Sequence, residues 1–100
     1  MDAAKQQAIN ARRMFRYVVS VDDQPHVVPL SHSPVAVAAI GPSGVEFWAE
    51  HTEGAPQVSR AFQVFGTGQP LPDDARWAGT CARTAGGLVW HLYEIGVGAW

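Results

Sequence analysis

Phe62-Gln63-Val64-Phe65-Gly66-Thr67-Gly68-Gln69-Pro70-Leu71-Pro72-Asp73-Asp74 decides how this chain folds, with Trp77-Ala78-Gly79-Thr80 and Gly86-Gly87-Leu88-Val89-Trp90-His91-Leu92-Tyr93-Glu94-Ile95 behind it. Ala61 to Phe65 reads as a strand, because aromatic and β-branched side chains suit a pleated, half-buried surface. A helix is excluded from Gly66 to Asp74. Pro70 and Pro72 hold Gln69 and Leu71 extended, and Gly66 and Gly68 permit a tight bend before them. Leu71, flanked by prolines, is expected to plug into the core. Trp77 to Arg83 and Leu88 to Ile95 are expected to form a hairpin across Thr84-Ala85-Gly86-Gly87. The block is strand, turn and hairpin, with no catalytic constellation in it.

The same texture extends upstream. Phe15, Tyr17, Val19 and Val21 alternate with Arg16 and Ser20, which gives one apolar and one partly polar face. Asp22-Asp23-Gln24 reads as a turn, and His26 to Leu30 as a returning strand that Pro29 confines to an edge. Val35 to Ile40 is apolar on both faces. After Gly41-Pro42-Ser43-Gly44, a turn sequence, Val45, Phe47 and Ala49 alternate with Glu46, Trp48 and Glu50. Two hairpins are thus expected before His51, then a polar loop to Ser59. The expected fold is all-β: a small sandwich or partly open barrel of about six or seven antiparallel strands.

Ahead of this lies a different composition. Met1 to Arg13 is rich in alanine and glutamine, and Ala4, Ala8 and Ala11 fall at helical spacing. A helix this short is marginal unless it docks. The expected organisation is a short helical or flexible arm over residues 1–13, a β domain over 14–96 and a tail over 97–100.

One hundred residues, 47% hydrophobic and 16% charged, make one globular domain with enough aromatic area for a core. The net charge of −2 gives no reason to expect nucleic acid as a partner, since phosphate binding needs several free cations. The charge is uneven. Lys5, Arg12, Arg13 and Arg16 against Asp2 form a basic segment on an otherwise acidic chain, a candidate contact for an acidic partner. Cys81, the lone cysteine, excludes an internal disulfide and fits a reducing compartment. No apolar run approaches the ~20 residues that span a bilayer, so a soluble intracellular protein without membrane contact is expected.

Met14-Phe15-Arg16-Tyr17, Phe47-Trp48-Ala49, Phe65-Gly66-Thr67-Gly68 with Pro70-Leu71-Pro72-Asp73, and Gly86-Gly87 with the aromatic-His91-aliphatic-aromatic-Glu94 run carry a resemblance. As a set they resemble a family of small proteins of tailed bacteriophages and prophages. The resemblance covers roughly residues 14–95. It implies the cytoplasm of an infected bacterium, or the virion, as the place of action. It implies no activity, ligand or cofactor.

Gly66-Thr67-Gly68 lacks the lysine of a phosphate loop, the only lysine being Lys5, and Leu71 between prolines cannot open the helix that a dinucleotide turn needs. Gly66, Gly68, Pro70 and Pro72 therefore read as a structural turn. His26, His32, His51 and His91 show no metal-ligand spacing, and no metal or other cofactor is expected. With an even-length loop, Cys81 falls opposite Leu92 or Trp90, which leaves His91 on the other face. Glu46, Glu50 and Glu94 read as solvated strand positions, and Asp73 and Asp74 as turn residues. Two strands apolar on both faces, Val35 to Ile40 and Val89 to Tyr93, leave one face needing cover. Trp48, Trp90, His91 and Tyr93 are the candidate interaction surface. The expectation is a non-enzymatic accessory protein that binds a host or phage protein, modulates a host factor or defence system, and self-associates. A small-ligand (nucleotide) binder and a virion component are the alternatives.

Overall fold

Val19, Val45, Phe47, Phe62, Val64 and Leu92, each in a run alternating apolar with more polar neighbours, all turn inward. They belong to β1 (Arg12–Ser20), β4 (Gly44–Thr52), β5 (Val58–Gly66) and β7 (Trp90–Ile95). β2 (His26–Leu30), β3 (Pro34–Ala39) and β6 (Arg76–Thr80) complete seven antiparallel strands. The structure is a computed structural model that describes residues 11–96. No helix occurs among the described residues. The strands form two sheets, ordered β1-β4-β3 (sheet A) and β2-β5-β7-β6 (sheet B), which do not close into a barrel.

The hairpin across Gly41–Gly44 forms as expected, with Val37 opposite Phe47 and Ala39 opposite Val45. The hairpin expected across Asp22–Gln24 does not. β1 pairs instead with β4 along all nine residues, from Arg12 opposite Thr52 to Ser20 opposite Gly44. β2 pairs with β5. The reason is matching of length and face. Val19, Tyr17 and Phe15 need an equally long apolar partner row, which Val45, Phe47 and Ala49 supply. The five-residue β2, lacking the N–H of Pro29, offers no such row. The turn at Asp22 still forms, but it carries the chain between sheets. Gln24 N–H donates to Asp22 Oδ1 at 3.1 Å and His26 Nε2 lies 2.8 Å from the same oxygen. The His26 contact holds the Asp22 carboxyl below its ordinary value, so its contribution to folding is present at neutral pH and lost on acidification.

The core is one cluster between the sheets: Val19, Leu30, Val45, Phe47, Ala49, Phe62, Val64, Cys81 and Leu92. Phe47 stacks on Tyr17 and tilts against Phe62, each with ring centroids 5.1 Å apart. Gly79 faces Val37 of the other sheet at close range, where a Cβ would lie 2.7 Å from a γ-methyl of Val37. At one end the inner face of sheet B changes from apolar to charged. Arg60 Nε and Nη2 donate to the two oxygens of Glu94 at 2.8 and 2.6 Å. Glu94 is 5% exposed, which corrects its reading as a solvated position. That bond also raises the Arg60 guanidinium above its ordinary value.

Two further expectations change. Leu71 does not enter the core; it is 44% exposed and lies on the far side of sheet B. β1 begins ahead of Met14, so Arg12 and Arg13 are strand residues, whereas residues 1–10 with Lys5, and the 97–100 tail, lie outside the described residues.

Candidate functional site

The topology puts the glycine-proline segment on the outer face of sheet B. β5 and β6 flank β7, so residues 67–75 must cross β7 to reach the far edge. Directly opposed residues of antiparallel strands share a face. The outer face of sheet B therefore carries Val27 with Ala61, Gln63 with Tyr93, Phe65 with His91, and Trp77 with Tyr93. Val27 is 68% and Trp77 61% exposed, yet Phe65 on the same face is 2% exposed. Tyr93 covers it, meeting the Phe65 ring edge-on at 5.6 Å. Between Tyr93 and the crossing segment runs a groove of about 150 Å³, lined by Phe65, Thr67, Gln69, Leu71, His91 and Tyr93 among others.

A chain of hydrogen bonds fixes the polar groups of this face. Trp77 Nε1–H donates to Thr80 Oγ1 at 2.9 Å. Thr80 Oγ1 lies 2.9 Å from His91 Nδ1, and Thr67 Oγ1 2.9 Å from His91 Nε2. A hydroxyl beside an imidazole is the minimal geometry of nucleophile and base. Here, however, the group orienting the imidazole is a second hydroxyl rather than a carboxylate. The arrangement anchors an exposed indole and the crossing segment to β7. Cys81 lies on the opposite face, its N–H bonded to Trp90 O, and burial pushes its thiol up. Cys81 falls opposite Trp90 and Thr80 opposite His91, which keeps Cys81 and His91 on different faces, as expected for an even-length loop.

The glycine turn closes on itself. Gln69 N–H donates to Gly66 O at 3.1 Å, and Gly66 N–H to Gln69 Oε1 at 3.0 Å. Gln69 Nε2 reaches Asp23 Oδ1 at 3.2 Å, which ties the turn to the β1–β2 connection. The amides of Gly66 and Gln69 are thus engaged within the turn. Gly68 has φ +86°, a left-handed conformation that costs an L-residue about 1–2 kcal/mol. Gly68→Ala is expected to lower stability by about that amount, roughly 4–8 °C of melting temperature per kcal/mol. Any effect of nucleotide on melting should be the same in parent and variant. A nucleotide-induced stabilisation present only in the parent would assign the turn to a ligand.

The other predicted residues lie apart. His91 and Tyr93 share the outer face, whereas Trp90 points inward, its ring 3.4 Å from where a Gly66 Cβ would be and its Nε1 buried without an acceptor. Trp48 is on the outer face of sheet A, opposite Arg16 and Ala36. Arg12 and Arg16 sit 3.5 and 3.6 Å from Glu50 and Glu46 across the strand pair, so β4 offsets part of the basic charge. Arg13 is exposed on the opposite face of β1. Trp77, expected only as a hairpin strand residue, stands exposed on the outer face of the edge strand β6. Among the described residues no group of three or more His, Cys, Asp or Glu is placed to hold a metal ion, and no helix is long and apolar enough to cross a membrane.

Residues 10–98 match the family model of a domain of unknown function (DUF7352). No curated protein and no solved structure matches the chain.

Proposed function

Because the chain belongs to the DUF7352 family, whose name assigns no activity, we propose its role from the surface it presents: a non-enzymatic protein that docks a protein partner on the outer face of sheet B. The setting is the one implied by the phage-type motifs, an accessory protein that modulates a host factor or defence system in the infected bacterial cytoplasm. The observation that carries the reading is Trp77. A tryptophan 61% exposed, tethered through its indole N–H, stands opposite Tyr93, which lines the groove over Phe65 together with Leu71. Anchored aromatics of this kind dominate binding energy at protein interfaces.

The test is affinity capture from host lysate with the parent and with Trp77→Ser. The variant should melt within about 0.5 kcal/mol of the parent, as exposed positions do, and should lose the captured partner at least tenfold. A variant that retains it at the parent level would overturn the docking face. A nucleotide retained through purification would favour the ligand-binding alternative, and recovery in purified particles the virion alternative.

Self-association has its own support, in β1. This edge strand has no strand partner on its far side among the described residues, and Met14, Phe15 and Val18 on it are exposed. Antiparallel pairing with a second copy about a two-fold at Phe15 opposes Met14 to Arg16 and Arg12 to Val18. A two-fold at Arg16 would set guanidinium against guanidinium. Light scattering should return a dimer for the parent and a monomer of 10.8 kDa for Phe15→Arg. A parent that stays monomeric at high concentration rejects this.

A further inference from the structure

A second concavity lies on the opposite side of sheet B, at the charged end of its inner face. It is a cleft of about 360 Å³ where the chain leaves β2 for β3, lined by Leu30, Ser31, Ser33, Arg60, Arg76 and Glu94 among others. That volume falls at the lower end of small-molecule sites. Its polar groups are mostly donors. Glu94 is the one carboxylate among the lining residues, and each of its oxygens already accepts from Arg60. Arg60 Nη1 also donates to Ser33 Oγ at 3.1 Å, and Thr52 N–H donates to Ser31 Oγ at 3.1 Å. Both serine oxygens thus act as acceptors, which leaves both O–H groups free to donate. Arg60 retains N–H groups beyond these bonds. Arg76, across the ladder from Glu94, has no ion-pair partner among the described residues. Two guanidinia against one carboxylate leave one positive charge in the cleft.

We infer that this cleft between β2, β5 and β6 binds a small oxyanion, a phosphoryl or carboxylate group, between Arg76 and the Ser31 and Ser33 hydroxyls. Surplus donors and surplus positive charge call for a ligand group that only accepts, and guanidinium forks fit such groups in bidentate fashion. The Arg60–Glu94 pair serves as the fixed floor and Arg76 as the free clamp. The inference does not rest on the docking face, which lies on the other side of the sheet.

The experiment is NMR titration of the full chain with three probes at fixed ionic strength: inorganic phosphate, a nucleoside 5′-monophosphate and succinate. The expected result is saturable shifts of the Arg76 Nε–H and of the amides at Ser31 and Ser33. Arg76→Gln should weaken binding at least tenfold with the melting temperature unchanged, and Trp77→Ser should bind as the parent does. The tightest probe then separates phosphoryl from carboxylate chemistry. Non-saturable shifts with all three probes would overturn the site, as would parent-level affinity in Arg76→Gln. Arg13→Gln is the control for diffuse charge; a loss there equal to that of Arg76→Gln would also overturn it.

Discussion

Gly79→Ala should destabilise the protein by about 1–3 kcal/mol or more, the cost of overpacking a close-packed core. The new Cβ would sit 2.7 and 2.8 Å from the two γ-methyls of Val37 and 3.4 Å from its Cβ. A β-branched side chain has no rotamer that moves both methyls away, so either the sheets separate or β6 shifts. Thermal melting should show a fall of roughly 4–8 °C per kcal/mol. The cause is checked by Val37→Ala, which removes the opposing methyls. Its own cost is a cavity, but in the double variant the clash disappears, so the two changes should cost less together than their sum. Strict additivity would mean that the contact between sheets at Gly79 is not what limits the position.

The second large effect is at Arg60. Arg60→Ala removes both bonds to Glu94 and leaves a carboxylate 5% exposed without a partner. Breaking a buried pair from one side costs about 3–5 kcal/mol, a large share of the roughly 5–15 kcal/mol of a typical domain. The guanidinium also lies 5.7 Å from the Phe62 ring centroid, so truncation loses packing as well. Replacing both partners, Arg60→Met with Glu94→Leu, should recover most of the loss, because no charge is then stranded. Denaturant unfolding of the parent and the two variants checks this. A double variant as unstable as Arg60→Ala would show that packing, not the stranded carboxylate, carries the cost.

Period-2 patterning made the strands legible, and in β4 it also named the faces: Val45, Phe47 and Ala49 inward, Glu46, Trp48 and Glu50 outward. The glycine turn was legible because two prolines and a positive-φ glycine leave the chain few alternatives. Pairing was not, since alternation says which way a side chain points and not which strand lies beside it. That is how β1 came to be matched with β2 instead of β4. Glu94 has the parity of Leu92, but on a strand apolar on both faces parity does not say which side is buried, so Glu94 read as solvated. Its meaning depended on Arg60, 34 residues away in sequence. Trp77 was hidden for a different reason. Counting back from buried Cys81 puts Trp77 inward, but the register shift between Trp77 and Gly79 adds a residue and turns the indole out. Alternation puts His91 and Tyr93 on one face and Trp90, the residue before His91, on the opposite one, so the three could not form one surface.

The docking face is tested most directly by the indole N–H resonances of the labelled protein, recorded with and without the partner retained by capture. Trp48, Trp77 and Trp90 report on the outer face of sheet A, the outer face of sheet B and the interior respectively. Binding on sheet B should move the Trp77 indole, whose N–H is held by Thr80, and leave Trp48 and Trp90 in place. A shift at Trp48 with Trp77 unmoved would place the partner on the other sheet and contradict the account.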